Sequence, residues 1–113
     1  MTAAFEDHLA ERVKLVLGQR GPFTTTRIIG GGTGFMVCDK LCCGVSRRGL
    51  VVRLGPNGAS AAAKQEGVAP LMLGKRTARG FVRVDPDALK TNEQIDHWVL
   101  KGVEFLHGDR ANS

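Results

Sequence analysis

The sequence predicts one α+β domain of two layers, in which an antiparallel sheet packs on an N-terminal and a C-terminal helix, with a short helix between the strands. Three observations predict it. Apolar residues recur at helical spacing at both ends of the chain, β-branched and alternating segments lie between them, and no regular strand–helix–strand alternation appears. The 113 residues are enough for one domain and too few for two, so we expect residues 1–113 to form a single unit.

The first helix is predicted over residues 3–17. Thr2 is a suitable N-cap and Gly18 a natural stop. Its buried face is expected to carry the apolar residues that repeat at helical spacing, namely Phe5, Leu9, Val13, Val16 and Leu17.

Extended structure begins at residue 24, where β-branched residues dominate up to residue 29. After a run of glycines, the segments 35–38 and 41–45 flank Asp39-Lys40, which predicts a hairpin with a two-residue turn. In that register one face of the hairpin is wholly apolar, and we expect it to lie in the core: Met36, Cys38, Leu41, Cys43 and Val45.

The next strand is predicted over residues 50–54, closed by a turn at residues 55–58. Residues 59–66 form the short middle helix, and residues 71–73 and 80–84 two further strands on either side of a loop. Alternation points Leu50, Val52, Leu54, Val82 and Val84 inward. It points Arg53 and Arg83 to the opposite face of the sheet.

The last helix is predicted over residues 92–107, which leaves 108–113 as a loose tail. Thr91 and Gln94 have the spacing of a capping box. One apolar stripe identifies the buried face: Ile95, Trp98, Val99, Val103 and Leu106.

The cysteines Cys38, Cys42 and Cys43 fall in one short stretch. Their odd number, with no signal-peptide pattern at the start, favours reduced thiols and a cytoplasmic protein. A closed zinc site needs four ligands, and the three histidines, His8, His97 and His107, are remote in sequence. We therefore interpret the cysteines as small apolar strand residues and expect no metal and no cofactor. A thiol-dependent enzyme remains a weaker alternative, because Cys–His pairs meet in space.

The glycine-rich stretch from Gly30 to Gly34 fits neither the dinucleotide-binding spacing nor a phosphate-binding loop. We interpret it as backbone that needs positive φ or a bulge. No other pattern predicts a catalytic residue. No apolar run approaches the roughly 20 residues of a membrane span, so we expect no membrane contact.

Charge is unevenly distributed along the chain, whose formal net charge is +5. Thirteen Lys and Arg but only two acids lie between residues 12 and 83. The outward arginines of the sheet are expected to form a basic binding surface with other cations: Arg27, Arg53, Lys75, Arg76, Arg79 and Arg83.

Three interpretations of this basic surface remain open: an ordinary solvated sheet face, a surface for an acidic protein partner or for self-association as a homodimer, and a nucleic-acid-binding face. The absence of tyrosine argues against nucleic acid, since only Phe35 and Phe81 in this region could stack on bases.

Ordered sequence blocks from about residue 28 to residue 106 resemble the N-terminal domain of the TfoX/Sxy proteins. They include GGxxGFMV at 30–37, KLCCGV at 40–45, LVVRLGP at 50–56 and GFVxVDP at 80–86. The residues that carry this resemblance are expected to be structural: Gly30, Gly31, Gly34, Cys42, Cys43, Gly44, Gly55, Pro56, Gly80, Asp85, Pro86 and Trp98.

The resemblance implies an antiparallel sheet with helices in a secretion-chaperone-like arrangement. It also implies a non-enzymatic regulatory or protein-interaction domain in a bacterium. Family members act in natural competence as transcriptional co-activators with the cyclic-AMP receptor protein. Full-length members carry a C-terminal helical domain that has no counterpart in these 113 residues, so we expect a stand-alone N-terminal domain. The chain departs from the family pattern at Ile28-Ile29, Asp39-Lys40, residues 72–80 and Arg83.

Overall fold

The computed structural model of the chain describes residues 3–27 and 31–111. The predicted N-cap Thr2 and the motif residue Gly30 lie outside this range. The elements follow in the order α1 (Ala3–Gly18), β1 (Thr24–Arg27), β2 (Thr33–Val37), β3 (Lys40–Ser46), β4 (Gly49–Arg53), α2 (Gly55–Ala62), β5 (Val68–Leu73), β6 (Arg76–Val84), a 3₁₀ turn (Pro86–Ala88) and α3 (Asn92–Ala111).

The six strands form one antiparallel sheet in the order β1-β2-β3-β4-β6-β5, which confirms the predicted two-layer α+β fold. Its inner face packs on the helices and includes four fully buried side chains, Leu50, Val52, Val82 and Val84. Helix α3 approaches this face closely at Gly102, where a Cβ atom would lie 3.2 Å from Val52 Cγ1. The outer face carries Val51, Arg53, Phe81 and Arg83, which are paired across β4 and β6.

Helices α1 and α3 pack against each other as well as on the sheet. The predicted stripes of both helices are buried, apart from Phe5, which is half-buried. Full burial of one such aliphatic side chain contributes about 1.5–3 kcal/mol. At the edge of this contact Arg12 binds Asp96 through two nitrogens, with N–O distances of 2.7 and 2.6 Å.

The capping box at the start of α3 is confirmed. The Gln94 backbone N–H donates to the Thr91 hydroxyl at 3.1 Å, and the Thr91 N–H donates to the Gln94 side-chain oxygen at 3.0 Å. The predicted loose tail is wrong for residues 108–111, because α3 continues to Ala111. Gly108 lacks the positive φ that ends helices at glycine, so the helix passes through it.

The predicted turn at Asp39-Lys40 is displaced by one residue. The two turn residues are Cys38 and Asp39, with φ of 56° and 64°, and Val37 pairs with Lys40. Positive φ at both central positions is the geometry of a type I′ turn, whose twist matches that of the flanking strands. Displacing the turn by one residue moves the pairing by two, so Met36 and Leu41 still share a face as predicted.

A bulge in the β2–β3 pair, rather than the displaced turn, changes which residues share a face. Phe35 pairs with Cys43 but Met36 pairs with Leu41, so Cys42 is an extra residue in β3. Cys42 and Cys43 are consequently both buried. The predicted core face is right for Cys43 and Val45 and wrong for the others: Met36 and Leu41 are half-buried and Cys38 is exposed, while Phe35, Val37 and Cys42 belong to the core.

The middle helix starts earlier than predicted. Residues 55–58, predicted as a turn, form the first turn of α2, which ends at Ala62. Pro56 is compatible with this position because the first N–H groups of a helix have no intrahelical partner. Gly55 begins the helix with φ of 78°, a backbone conformation that glycine adopts without strain.

The last two strands are longer than predicted. They form a hairpin whose two-residue turn is Gly74-Lys75, and strand pairing reaches Leu73 and Arg76 at its tip. Gly74 has φ of 65°, and glycine at the first central position is typical of a type II′ turn. The predicted loop 74–79 is therefore mostly strand.

Candidate protein-interaction surface

The six predicted cations do not form one surface. Arg27, on edge strand β1, pairs with Thr33, and Thr33 pairs with Val45 of the inner face. Residues paired across a sheet share a face, so Arg27 lies on the side opposite Arg53 and Arg83. Three strands also separate β1 from β6. The expectation that Arg27 joins the other arginines is therefore wrong.

Arg53 lies on the outer face, as predicted, but it is half-buried. Its Nε–H donates to the Leu41 carbonyl oxygen at 2.7 Å. Its guanidinium carbon lies 4.6 Å from the centroid of the Phe81 ring, within the range of a cation–π contact. Arg53 therefore serves mainly to hold three strands together.

Arg83 is neutralised by Asp85, which directly follows the end of β6. Its Nη1 lies 2.6 Å from a carboxylate oxygen of Asp85. The Asp85 backbone N–H donates to the Gly67 carbonyl at 2.7 Å, which fixes the position of this motif residue. Like Arg53, Arg83 is committed to contacts within the domain.

The remaining three cations lie together at the end of the β5–β6 hairpin. We call this region the cationic hairpin and define it as Met72, Leu73, Lys75, Arg76 and Arg79. All five side chains are exposed. Within the described part of the chain, none of the three cations has an acidic partner. The cationic hairpin is thus a charged surface with no internal counter-ion.

Two large apolar side chains at the hairpin tip were not predicted as surface residues. Met72 is 52% exposed and Leu73 is 50% exposed. Met72 pairs with Thr77, whose hydroxyl lies 3.4 Å from the Met72 sulfur, and Leu73 pairs with Arg76. Adjacent residues of a strand face opposite ways, so the ribbon shows an apolar group on each side. The sequence does carry a signal for this exposure, namely the apolar residues 71–73 directly before the turn Gly74-Lys75. Side chains next to a turn at the end of a hairpin have few neighbouring residues that could bury them.

A groove runs between α2 and β6. We call it the α2–β6 groove; it encloses about 460 Å³. The Leu54 N–H donates to the Gly80 carbonyl at 2.7 Å and joins the two walls at one end. No acidic residue lines it; its walls are Pro56, Asn57, Ala59, Ser60, Ala63, Pro70, Thr77, Ala78, Arg79, Gly80 and Phe81.

A second cavity of about 450 Å³ lies beside the start of α3 and includes Glu66, Glu93, His97 and Trp98 in its lining. Trp98 is buried, with its ring edge-on to His97 at a centroid distance of 5.2 Å, so it belongs to the core as predicted. In residues 3–27 and 31–111 no three His, Cys, Asp or Glu side chains are grouped as metal ligands would be.

The thiols of Cys42 and Cys43 are adjacent and buried, so their interpretation as small apolar strand residues is confirmed. Contact with Cys42 and burial raise the pKa of Cys43 well above the ordinary value. The hydrogen bond from Cys43 lowers the pKa of Cys42, with burial acting against it. Cys38 is exposed in the turn, and its interpretation as an apolar strand residue is wrong.

The glycines of the sequence blocks mark places where backbones approach. Gly34 pairs with Gly44 in the middle of the sheet, and both are buried. At Gly55 a Cβ atom would lie 2.4 Å from Phe105 Cε1. Gly80 lies against Gly55. Two other residues of the sequence blocks lie at the surface or at a turn. Gly31 is exposed with φ of 95°, and the proline Pro86 begins the 3₁₀ turn before α3.

None of the helices in the described residues combines the length and apolar composition needed to cross a bilayer. Comparison with known proteins gave no significant match among curated proteins or solved structures. The family model described as TfoX N-terminal domain matches residues 16–106, which is most of the chain and includes every sheet strand and α2. The chain therefore belongs to the TfoX N-terminal domain family.

Proposed function

We propose that this chain is a non-enzymatic regulatory domain that works through protein–protein contact, and that the cationic hairpin is its contact surface. The observation that carries the proposal is the exposure of Met72 and Leu73 beside three cations that have no acidic partner among the described residues. Exposed apolar surface rimmed by polar or charged residues is typical of protein interaction sites. The family to which the chain belongs supports a regulatory role in general.

The charge of the hairpin favours an acidic protein as partner. Lys75, Arg76 and Arg79 would steer such a partner at long range and be neutralised by it on contact. Two hairpins of the same charge repel each other, which disfavours self-association through this surface. We propose that the regulated process is transcription, as in the competence regulation of the family, and that it takes place in the cytoplasm.

Nucleic acid is disfavoured as partner by the placement of the phenylalanines. Phe35 is fully buried and the Phe81 ring is covered by Arg53. Phe35 therefore cannot stack on bases, and the face of Phe81 under Arg53 is already occupied.

The test is site-specific photocrosslinking in the native host. A photoreactive phenylalanine is placed at Leu73 and, as matched control, at Leu15, which is also 50% exposed but lies on α1. We expect a defined protein adduct from position 73 that is absent from position 15. The adduct should disappear when Lys75, Arg76 and Arg79 are changed to Ser. Equal labelling at both positions, or adducts with nucleic acid alone, would contradict the proposal.

A further inference from the structure

We infer that the α2–β6 groove receives one large apolar side chain from a short acidic segment of the partner protein. This inference rests on the proposed function, because the groove adjoins the cationic hairpin and shares Arg79 with it. It specifies the chemistry of the partner segment. Its acidic residues contact the cationic hairpin, and one apolar residue between them enters the groove.

The groove is wide because its walls carry small side chains. On α2 the lining residues Ala59, Ser60 and Ala63 fall at helical spacing on one side. On the hairpin Ala78 and Gly80 face them. The resulting space of about 460 Å³ falls within the ~300–1,000 Å³ of ordinary ligand sites. A bulky side chain can therefore enter without displacing either wall.

The walls of the groove are held in place by contacts at the start of α2. The Leu54–Gly80 hydrogen bond ties the start of α2 to β6, and Gly55 packs on the Phe105 ring. A site fixed in this way loses little conformational entropy when it is filled. The groove is thus already shaped for a ligand in the unbound domain.

Charge complementarity identifies an acidic segment as the occupant. Arg79 lines the groove, and Lys64 is exposed immediately after Ala63. Lys75 and Arg76 continue the positive surface to the hairpin turn, and none of the lining residues is acidic. A basic or neutral segment would gain nothing from these four charges, whereas carboxylates on both sides of an anchor would meet them.

The probe is an acetylated, amidated octapeptide with the sequence EEDLFDEE, titrated at low salt into ¹⁵N-labelled protein. The probe offers two candidates for the single anchor, Leu and Phe. Two peptides serve as controls: EEDSSDEE, which lacks both candidates, and KKRLFRKK, which reverses the charge. A twenty-nucleotide oligo-dT tests nucleic acid as the alternative ligand. We expect EEDLFDEE to shift the amide signals of residues 59–63 and 77–81, and to bind at least fivefold more tightly than either control peptide and than oligo-dT.

Two pairs of variants separate the groove from the charge. Ser60→Trp fills the groove, and Ala61→Trp places the same ring on the neighbouring exposed position outside it. Arg79→Ser removes a groove cation, and Arg47→Ser removes an exposed cation at the β3–β4 turn. We expect Ser60→Trp to weaken EEDLFDEE at least tenfold and Arg79→Ser at least threefold, with Ala61→Trp and Arg47→Ser unchanged.

The inference is overturned if Ser60→Trp binds like Ala61→Trp, if EEDSSDEE binds as tightly as EEDLFDEE, or if EEDLFDEE does not bind. In each case the photocrosslinking experiment at position 73 tests the proposed function independently of the groove. A crosslink that depends on the three hairpin cations keeps the contact surface and rejects only the groove. Tighter binding of oligo-dT than of EEDLFDEE rejects the acidic segment as the occupant.

Discussion

The guanidinium of Arg53 lies over the Phe81 ring, 4.6 Å from its centroid, while its Nε–H donates to the Leu41 carbonyl. The side chain thus bridges β6 and β3 across its own strand, β4. This arrangement removes Arg53 from the set of cations available to a partner. It makes Arg53 a stabilising residue of the outer face.

Replacement of Arg53 by Ala should lower the free energy of unfolding by about 1–2 kcal/mol, since it removes a hydrogen bond to a carbonyl and a cation–π contact. Arg53→Lys should recover only part of this loss, because an ammonium lacks the planar face that stacks on the ring. Urea unfolding measures both. Arg47→Ala, at an exposed turn position, is the control and should change stability by less than about 0.5 kcal/mol. Equal effects of Arg53→Ala and Arg47→Ala would show that the bridge contributes nothing.

Gly55→Ala should destabilise the domain by about 2–4 kcal/mol. The added Cβ would lie 2.4 Å from Phe105 Cε1, and the residue has φ of 78°. Strain at positive φ costs about 1–2 kcal/mol, and overpacking costs a similar or larger amount. Gly74→Ala is the matched control. Its φ is 65°, but nothing lies within 4 Å of the added Cβ atom, so this variant should lose only the stability that backbone strain at positive φ costs. Thermal and urea unfolding of the two variants give the difference, and similar losses would rule out the close contact with Phe105.

Thr91→Ala should cost about 1 kcal/mol, because the first turn of α3 loses the hydroxyl that accepts from the Gln94 N–H at 3.1 Å. Thr91→Ser retains the oxygen and should keep nearly the wild-type stability. Both variants are compared by urea unfolding. If the Ser and Ala variants are equally unstable, the methyl group of Thr91 rather than its hydroxyl matters.

Iodoacetamide should modify native protein at Cys38 and leave Cys42 and Cys43 intact until the chain unfolds. Cys38 is exposed, whereas the other two thiols are fully buried. The raised pKa of Cys43 also keeps it protonated at pH values where an ordinary thiol ionises, and only the thiolate reacts. Peptide mass mapping at pH 8 and pH 9.5 checks this. Labelling at Cys38 should proceed in the folded protein at both pH values, and comparable labelling of Cys43 in folded protein would contradict its burial.

Several elements could be predicted because their signals are local. The capping box at Thr91 and Gln94 and the apolar stripe of α3 both follow from spacing along one helix. The inward orientation of Leu50 and Val84 follows from alternation within each strand. In each case the residues that determine the element lie within a few turns or one strand of one another.

Other features depend on contacts that no short segment encodes. The β2–β3 turn falls at Cys38-Asp39 and a bulge at Cys42, and this register places Phe35 and Val37 in the core. Arg27 shares the helix-side face because of the register of two strand pairs, which its own segment does not fix. The groove beside Ser60 exists only because α2 is anchored at Gly80.

The sequence by itself determined the α+β class, the order of helices and strands, and the concentration of positive charge in the sheet region, because periodicity and charge are properties of the chain. Only the tertiary structure decided which cations are available to a partner. It pairs Arg83 with Asp85, places Arg53 over Phe81, and gives the cationic hairpin no counter-ion from the part of the chain that the structure describes. The physical reason is that a charge is neutralised by whatever the fold brings within a few ångströms of it, and that distance is set by strand register and packing.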